Sequence, residues 1–472
     1  MDKHPGKIPA ALLAFLVACG GPDAQAPQGD SGVAADATRP WRGTLPHLRS
    51  EVTAPRGWTA ARSIVHLHSP WSHDACDGRG YEDGVLDTAC LADLRAALCD
   101  TAVDFAFITD HPDHAATVPW EDALLAQPGD TLLEGPHGTE GVSIPCPAGH
   151  SVTWLPGIED ELMPVGLQRH AGGGDITEAH GIYNREDAEA IAADVDAGAL
   201  VFVNHTEGRS LEELAAVQAA GGAGIEVFNL HAAFDPRIRG ADLGLDPAGW
   251  LSEIVPFTGD EGTAEPDLYF LGVLTPQAPS LAAWDALSAT GPAVGVSGTD
   301  AHQNVMPLLL RDGERGDSYR RMLRWFNTTL LVDADTPAAA RDALADGRAY
   351  VAFEALGTPT GVDLHHRSDA GAIVEMGGAV EAAGTLTVGC PALTVDSPQG
   401  SDAPEIVVKV LRDGEVWAEG CGEHPVSGPG VYRVEVWMTP RHLRPFLGDS
   451  PDVWMKPYPW VYTNPIRVTG AR

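Results

Sequence analysis

Apolar and polar positions recur along the first two-thirds of the chain as a short apolar run followed by a longer stretch of helical spacing. Five of the runs begin apolar and end in His, Asp or Glu: Ile64-Val65-His66-Leu67-His68, Phe105-Ala106-Phe107-Ile108-Thr109-Asp110-His111, Leu155-Pro156-Gly157-Ile158-Glu159, Leu200-Val201-Phe202-Val203-Asn204-His205 and Val294-Gly295-Val296-Ser297-Gly298-Thr299-Asp300-Ala301-His302. Short apolar runs rich in β-branched and aromatic residues predict buried strands. Residues 81–98, 186–196, 211–220 and 281–288 carry helical spacing, each ahead of a strand, at 103–109, 200–204, 224–229 and 293–297. Helix-then-strand alternation predicts a parallel β/α architecture. Polar residues at the C-terminal strand ends stand where barrel enzymes build their sites.

The texture changes after about residue 355. Helical periodicity fades and short β-rich runs appear at 385–388, 406–411, 431–437 and 466–468, separated by turn signals such as Asp413-Gly414 and Gly428-Pro429-Gly430. They predict a small all-β region, read as a sandwich. Trp454, Tyr458, Trp460 and Tyr462 read as packing against the main body, with a carbohydrate or surface contact as the alternative.

The opening residues read as an address rather than as fold. Lys3 and Lys7 precede an apolar run over 8–17, too short to span a bilayer. The run ends in Leu16-Val17-Ala18-Cys19-Gly20, which is similar to a bacterial lipoprotein processing site; an ordinary secretory signal is the alternative. Residues 19–58 are rich in Gly, Pro, Ala, Asp and Gln and read as a flexible tether. The expected organisation is a signal over 1–18, a tether over 19–58, an α/β barrel over 59–350 and a β-rich region over 351–472. The expected location is the periplasm, outer membrane or surface of a bacterium, with membrane contact only through lipid at Cys19.

Charge narrows the partners. With 30 Lys+Arg against 66 Asp+Glu the formal charge is −36, which repels phosphate backbones and disfavours nucleic acid. A small-molecule substrate is the expected partner, and the oligomeric state is left open. With Cys19 set aside, six of the seven cysteines remain, an even number that suits disulfides in an oxidising compartment. Cys390 with Cys421 is the pairing proposed; Cys76, Cys90, Cys99 and Cys146 leave the connectivity open. No Cys-x-x-Cys pair suggests a cysteine zinc site.

The chemistry begins with His66 and His68. Residues two apart on a strand share a face, so both imidazoles can reach one ion. Together with Thr109-Asp110-His111, Gly157-Ile158-Glu159, Asn204-His205 and Gly298-Thr299-Asp300-Ala301-His302, the ordered motifs resemble those of the PHP (polymerase and histidinol phosphatase) superfamily over about residues 60–305. The tail ending in Asn464-Pro465-Ile466 is similar to the carbamate-hydrolase-like branch. The resemblance implies a distorted (β/α)7 TIM-like barrel holding two or three divalent ions. It implies one ion on His66, His68, Glu159 and Asp300. Glu159 would bridge to a second ion on His205 and one further histidine, His180 or His170. A third would sit on His111 and His302 with a residue of the loop after His68. Asp74 is preferred there for its spacing from His68, with His73 and Asp77 as alternatives. His180 is preferred over His170 because residues 176–183 read as a strand.

Mixed histidine and carboxylate ligands suit Zn, Mn or Fe, and clustered divalent ions generate hydroxide from water near neutral pH. No nucleophile elbow is present, and Ser297-Gly298-Thr299 reads as a tight strand exit. Three further residues are candidates for the reaction: Asp110 to orient a ligand histidine or cap a turn, His231 to touch substrate, and Arg209 to bind an anion or form a surface ion pair. The expectation is a metal-dependent hydrolase of phosphoesters. The alternatives are a carbamate, amide or ester hydrolase on the same site, and a non-catalytic metal- or glycan-binding lipoprotein.

Overall fold

The five apolar runs fold as strands whose C-terminal ends gather on one side of a sheet. The computed structural model describes residues 48–259, 262–381, 383–394 and 403–470. Strand β1 spans Thr59–Ile64, β2 Phe105–Asp110, β3 Ser151–Ile158, β4 Met163–Val165, β5 Leu200–Val203, β6 Gly224–Asn229 and β7 Val294–Gly298. The pairs β1–β2, β2–β3, β5–β6 and β6–β7 are parallel. Short β4 joins β3 to β5 through antiparallel pairings. Past the end of β1, Leu67 forms an isolated parallel bridge with Ala301. There the His68 N–H donates to the Ala301 carbonyl at 3.2 Å and the Asp300 N–H to the His66 carbonyl at 3.1 Å. The fold is mixed α/β, with a large sheet that is mostly parallel around the strand ends and a strand-rich C-terminal region.

Helices α1 (Thr88–Asp100), α2 (Ile176–Tyr183), α3 (Ala188–Asp196), α4 (Leu211–Ala219), α5 (Ala278–Thr290) and α6 (Pro337–Ala345) lie between strands. Five start at a side-chain cap: Asp87, Asp175, Asp187, Ser210 and Thr336 accept first-turn N–H groups. Two expectations are corrected here. The helical reading over 81–98 begins too early, because Tyr81–Glu82 and Val85–Leu86 form a small hairpin and Asp87 caps α1 only afterwards. The strand read over 176–183 is α2. Its buried residues Ala179, Ile182 and Tyr183 fall three and four apart, a helical spacing.

The floor of the sheet is sealed by apolar packing. Val65, Phe105, Phe107, Leu155, Phe202, Val296 and Leu330 form one buried cluster with Ala340, Ala343 and Leu344 of α6. Each large side chain buried there contributes about 1.5–3 kcal/mol, which fixes the strands whose far ends carry polar groups.

The C-terminal region continues this sheet. Strand β8 (Asn327–Val332) pairs antiparallel with β1, β9 (Ala349–Ala352) with β8, and β12 (Tyr458–Thr463) with β9. Then β11 (Gly430–Thr439) pairs with β12, and β10 (Glu405–Arg412) with β11. A separate antiparallel sheet holds Leu364–Ser368, Ile373–Glu375, Gly384–Val388 and Gly422–Val426. Trp454, Tyr458, Trp460 and Tyr462 are all buried, so this cluster packs inward. Asn464 clips the tail to β7: its amide exchanges hydrogen bonds with Gly295 at 2.8 and 3.1 Å and donates to the Ala349 carbonyl at 2.9 Å.

The described residues belong to one compact unit, Gly43–Arg472. The signal, Cys19 and most of the tether read from the sequence lie outside the described residues. Residues 48–58, read as the end of the tether, are held on the body. Arg49 pairs with Asp335 and with Asp104 (3.4 Å), and Arg56 with Asp363 (2.7 Å) and Glu375. Disulfides join Cys76 to Cys90, Cys99 to Cys146 and Cys390 to Cys421. Such bonds suggest an extracellular or periplasmic protein. No helix among the described residues is long and apolar enough to cross a membrane.

Candidate metal centre

Strand ends bring the sequence motifs to one point. His66 and His68 follow β1, Asp110 closes β2 with His111 after it, Glu159 follows β3, Asn204 and His205 follow β5, and Asp300 and His302 follow β7. Each of four histidines is tied down through Nδ1. His66 Nδ1 meets Glu226 Oε1 at 2.6 Å and His68 Nδ1 meets Ser72 Oγ at 2.7 Å. His111 Nδ1 lies 2.9 Å from the Glu159 carbonyl, and His302 Nδ1 2.9 Å from the Asp300 carbonyl. Anchoring one ring nitrogen sets the tautomer and presents the other. The presented nitrogens converge. His66 Nε2 and His68 Nε2 are 3.0 Å apart, and both lie 3.3 Å from Asp300 Oδ1. His302 Nε2 lies 3.3 Å and His111 Nε2 3.6 Å from Asp74 Oδ1. His205 Nε2 lies 3.3 Å from Glu159 Oε1.

Several sets of ligand atoms fall within 4.8 Å of one another, among them His68, His111 and His302; His66, His68 and Asp300; and His66, Glu159 and His205. Asp74 Oδ1, His302 Nε2, His205 Nδ1 and His231 Nδ1 are buried with no hydrogen-bond partner. Buried polar atoms without partners are costly, and a divalent cation satisfies donor atoms of this kind. The residues therefore fit the ions implied by the sequence motifs.

Backbone and electrostatics are shaped for the same purpose. His205 (φ 45°) and Asp300 (φ 50°) are left-handed non-glycine residues, a conformation that costs energy and clusters at functional sites. Burial pulls the His66 imidazole down, but the Glu226 and Asp300 carboxylates outweigh it and lift it well above its usual value. The same contest lifts His111 to about 10, through Glu159, and His205 to about 9, through Glu159 and Asp300. Burial pushes the Asp300 and Glu159 carboxyls up, yet the facing histidines hold both well below the carboxylate range. The cavity favours positive charge.

Within the loop after His68, the structure places Asp74 between His111 and His302. His73 is half exposed and pairs with Asp113 at 3.0 Å, its ring 4.9 Å from that of His111, and its ligand atom lies within 4.8 Å of those of Asp74 and His111. Asp77 pairs with Arg315 at 2.9 Å. Asp110 accepts from the Ser69 N–H and hydroxyl, each at 2.6 Å, and from Ser72 Oγ at 3.0 Å. It thus orients His68 through Ser72, a link that combines the orienting and turn-capping roles.

The second histidine beside His205 corrects the expectation. His180 sits in the last turn of α2. His170 is buried with Nε2 on the Val118 carbonyl at 3.0 Å and its ring against Trp120. The structure instead brings His231 to His205, ring centroids 4.9 Å apart, because Asn229 ends β6 and caps the short helix Leu230–Phe234. Burial and the neighbouring His205 lower the His231 imidazole to about 4, so it stays neutral and able to ligate. Arg209 pairs with Glu186 at 2.9 Å and donates to the Glu161 carbonyl at 2.6 Å; the ion pair is the role the structure shows.

Comparison with known proteins leaves the chain isolated in sequence. No family profile and no curated protein matches it. Two solved structures are similar. One is a two-domain protein from Bacteroides vulgatus containing a predicted PHP-like metal-dependent phosphoesterase, at 12% identity and a TM-score of 0.35, covering 89% of this chain and 99% of that one. The other is PsfC from Pseudomonas syringae, also at 12% and 0.35, covering 63% of this chain and 93% of that one.

Two site residues escaped the sequence reading. Glu226 lies fully buried in mid-β6 and joins both sides of the centre, with Oε1 on His66 Nδ1 at 2.6 Å and Oε2 accepting the His205 N–H at 2.9 Å. Its signal was a lone charge inside an apolar strand. Glu207 stands two residues beyond His205, with both oxygens on Asn229 Nδ2 at 2.8 and 2.6 Å. Burial lifts its carboxyl to about 7 although His205 pulls it down.

Proposed function

We propose that the chain is a metal-dependent hydrolase that cleaves phosphoesters at the strand ends. The observation that carries this reading is the convergence of anchored histidines and carboxylates into several overlapping ligand sets, more than one ion needs. His66, His68 and Asp300 would hold one ion, Glu159, His205 and His231 a second, and Asp74, His111 and His302 a third, with Zn, Mn or Fe the suitable metals. Bound ions of this class supply hydroxide near neutral pH and charge for the oxygens of a phosphoester. The chain's own part is to orient: Glu226 fixes His66, Ser72 and Asp110 fix His68, and Asn204 Nδ2 holds Glu159 while donating to the Asp160 carbonyl at 3.0 Å.

The same reading takes the sheet as a distorted (β/α)7 barrel, supported by the Leu67–Ala301 bridge. It also takes the protein as exported, for which the three disulfides are support, with the lipid at Cys19 resting on the sequence motif alone.

The test is metal content of the full chain, with turnover of aryl phosphate mono- and diesters before and after chelation. The expected outcome is two or three transition ions per chain and phosphate release that is lost on chelation and restored by metal. Bound metal with turnover only of aryl carbamates or esters would replace the substrate class. A metal-free protein after reconstitution would sink the hydrolase.

A further inference from the structure

Glu207 is not needed by the ligand sets above, yet it is built into the same wall. The Asn229 side chain that grips it cannot turn over. Asn229 Oδ1 accepts the Ala232 N–H at 2.8 Å, so its NH2 must face the Glu207 carboxylate. The Asn229 backbone is itself clamped, its N–H donating to Gln277 Oε1 at 3.0 Å and its carbonyl accepting from Gln277 Nε2 at 2.6 Å. Glu207 is therefore a carboxylate held in one place by a fixed amide, with lone pairs left over, since each oxygen can accept two bonds.

Those lone pairs have company. Ligand atoms of His205, Glu207 and His231 lie within 4.8 Å of one another. Nδ1 of His205 and Nδ1 of His231 are both buried and without a hydrogen-bond partner. A role confined to anchoring Asn229 accounts for one side of the carboxylate and leaves these two imidazoles unexplained.

We infer that Glu207 is a protein ligand of the ion held by His205 and His231. The inference rests on the metal-centre reading and deepens it.

The experiment titrates the metal-stripped full chain with Mn2+, following free Mn2+ by electron paramagnetic resonance, in the wild type, Glu207→Gln, His231→Ala and the double variant. Gln keeps an oxygen for Asn229 but removes the charge. The expected result is one binding step weakened by about tenfold or more in Glu207→Gln, the other steps unchanged. His231→Ala loses that same step, and the double variant loses nothing further. Should Glu207→Gln not fold, Glu207→Asp, which keeps the charge but withdraws the oxygen, is expected to weaken the same step. Unchanged stoichiometry and affinity in a folded Glu207 variant would overturn the inference while leaving the hydrolase reading intact. A wild type that binds no ion would overturn both.

Discussion

Glu226 shows how much a single residue can hold. One oxygen fixes His66 and the other fixes the His205 backbone, and the space it fills exists only because residue 298 is glycine. A Cβ there would lie 2.0 Å from Glu226 Oε1. Gly298→Ala is therefore expected to displace Glu226 and weaken metal binding by tenfold or more, about the loss expected for Glu226→Gln, measured by competition with a chelator. Equal affinity in both variants and wild type would refute this role. A second residue offers a pH test away from the site. Asp194 is buried in α3 with Oδ1 unpartnered, and burial raises its carboxyl to about 7. The folded state thus keeps a proton that the unfolded chain releases near pH 4. Stability falls as pH rises from about 4 to about 7, since the native form binds more protons in that window. Asp194→Asn removes the cost and is expected to stabilise by about 2–4 kcal/mol at pH 8 and little at pH 4. Parallel urea midpoints for both proteins at the two pH values would contradict it.

At the scale of elements, strands were legible and their partners less so. The ends of β1, β2, β3, β5 and β7 could be read because apolar runs stop abruptly at His, Asp or Glu. Helix α2 was misread although Asp175 accepts from the Thr177 and Glu178 N–H groups, a cap visible in the sequence. The strand reading places His180 beside His205; the structure places His231 there, because a short helix turns directly off β6. Glu226 and Glu207 were missed for a related reason: their roles depend on contacts across strands, which periodicity does not report. The relay from Asp110 through Ser72 to His68 joins β2 to the loop after β1 and can be tested as a unit. Ser72→Ala is expected to lower turnover and metal affinity to the same level as Asp110→Asn, and the double variant to add little. Additive losses, measured by chelator competition, would show that the two act separately.

Across the whole molecule, the β-rich tail was legible as a change of texture, but its continuity with the main sheet was not. Register between distant strands is set by pairing, and no local pattern announces that β12 will lie on β9. Asn464 is where the tail reaches deepest. Asn464→Ala removes three side-chain hydrogen bonds to the backbone of Gly295 and Ala349, while the N–H of residue 464 still reaches the Ala349 carbonyl at 3.2 Å. A destabilisation of about 2–4 kcal/mol is expected in urea unfolding, and a change below about 0.5 kcal/mol would show that the clip is dispensable.

The Cys76–Cys90 bond sets an order of events in the life of the chain. Cys76 and Asp77 donate their N–H groups to the His302 and Gln303 carbonyls, at 2.8 and 2.9 Å, and Asp74 stands two residues upstream. The segment bearing Asp74 is thus moored on one side to α1 by sulfur and on the other to the exit of β7. A chain still in a reducing compartment lacks the first mooring. If the centre binds metal as proposed, oxidation completes the corner that carries Asp74, and the reduced chain is expected to hold its metal more weakly, measured by chelator competition with and without reductant.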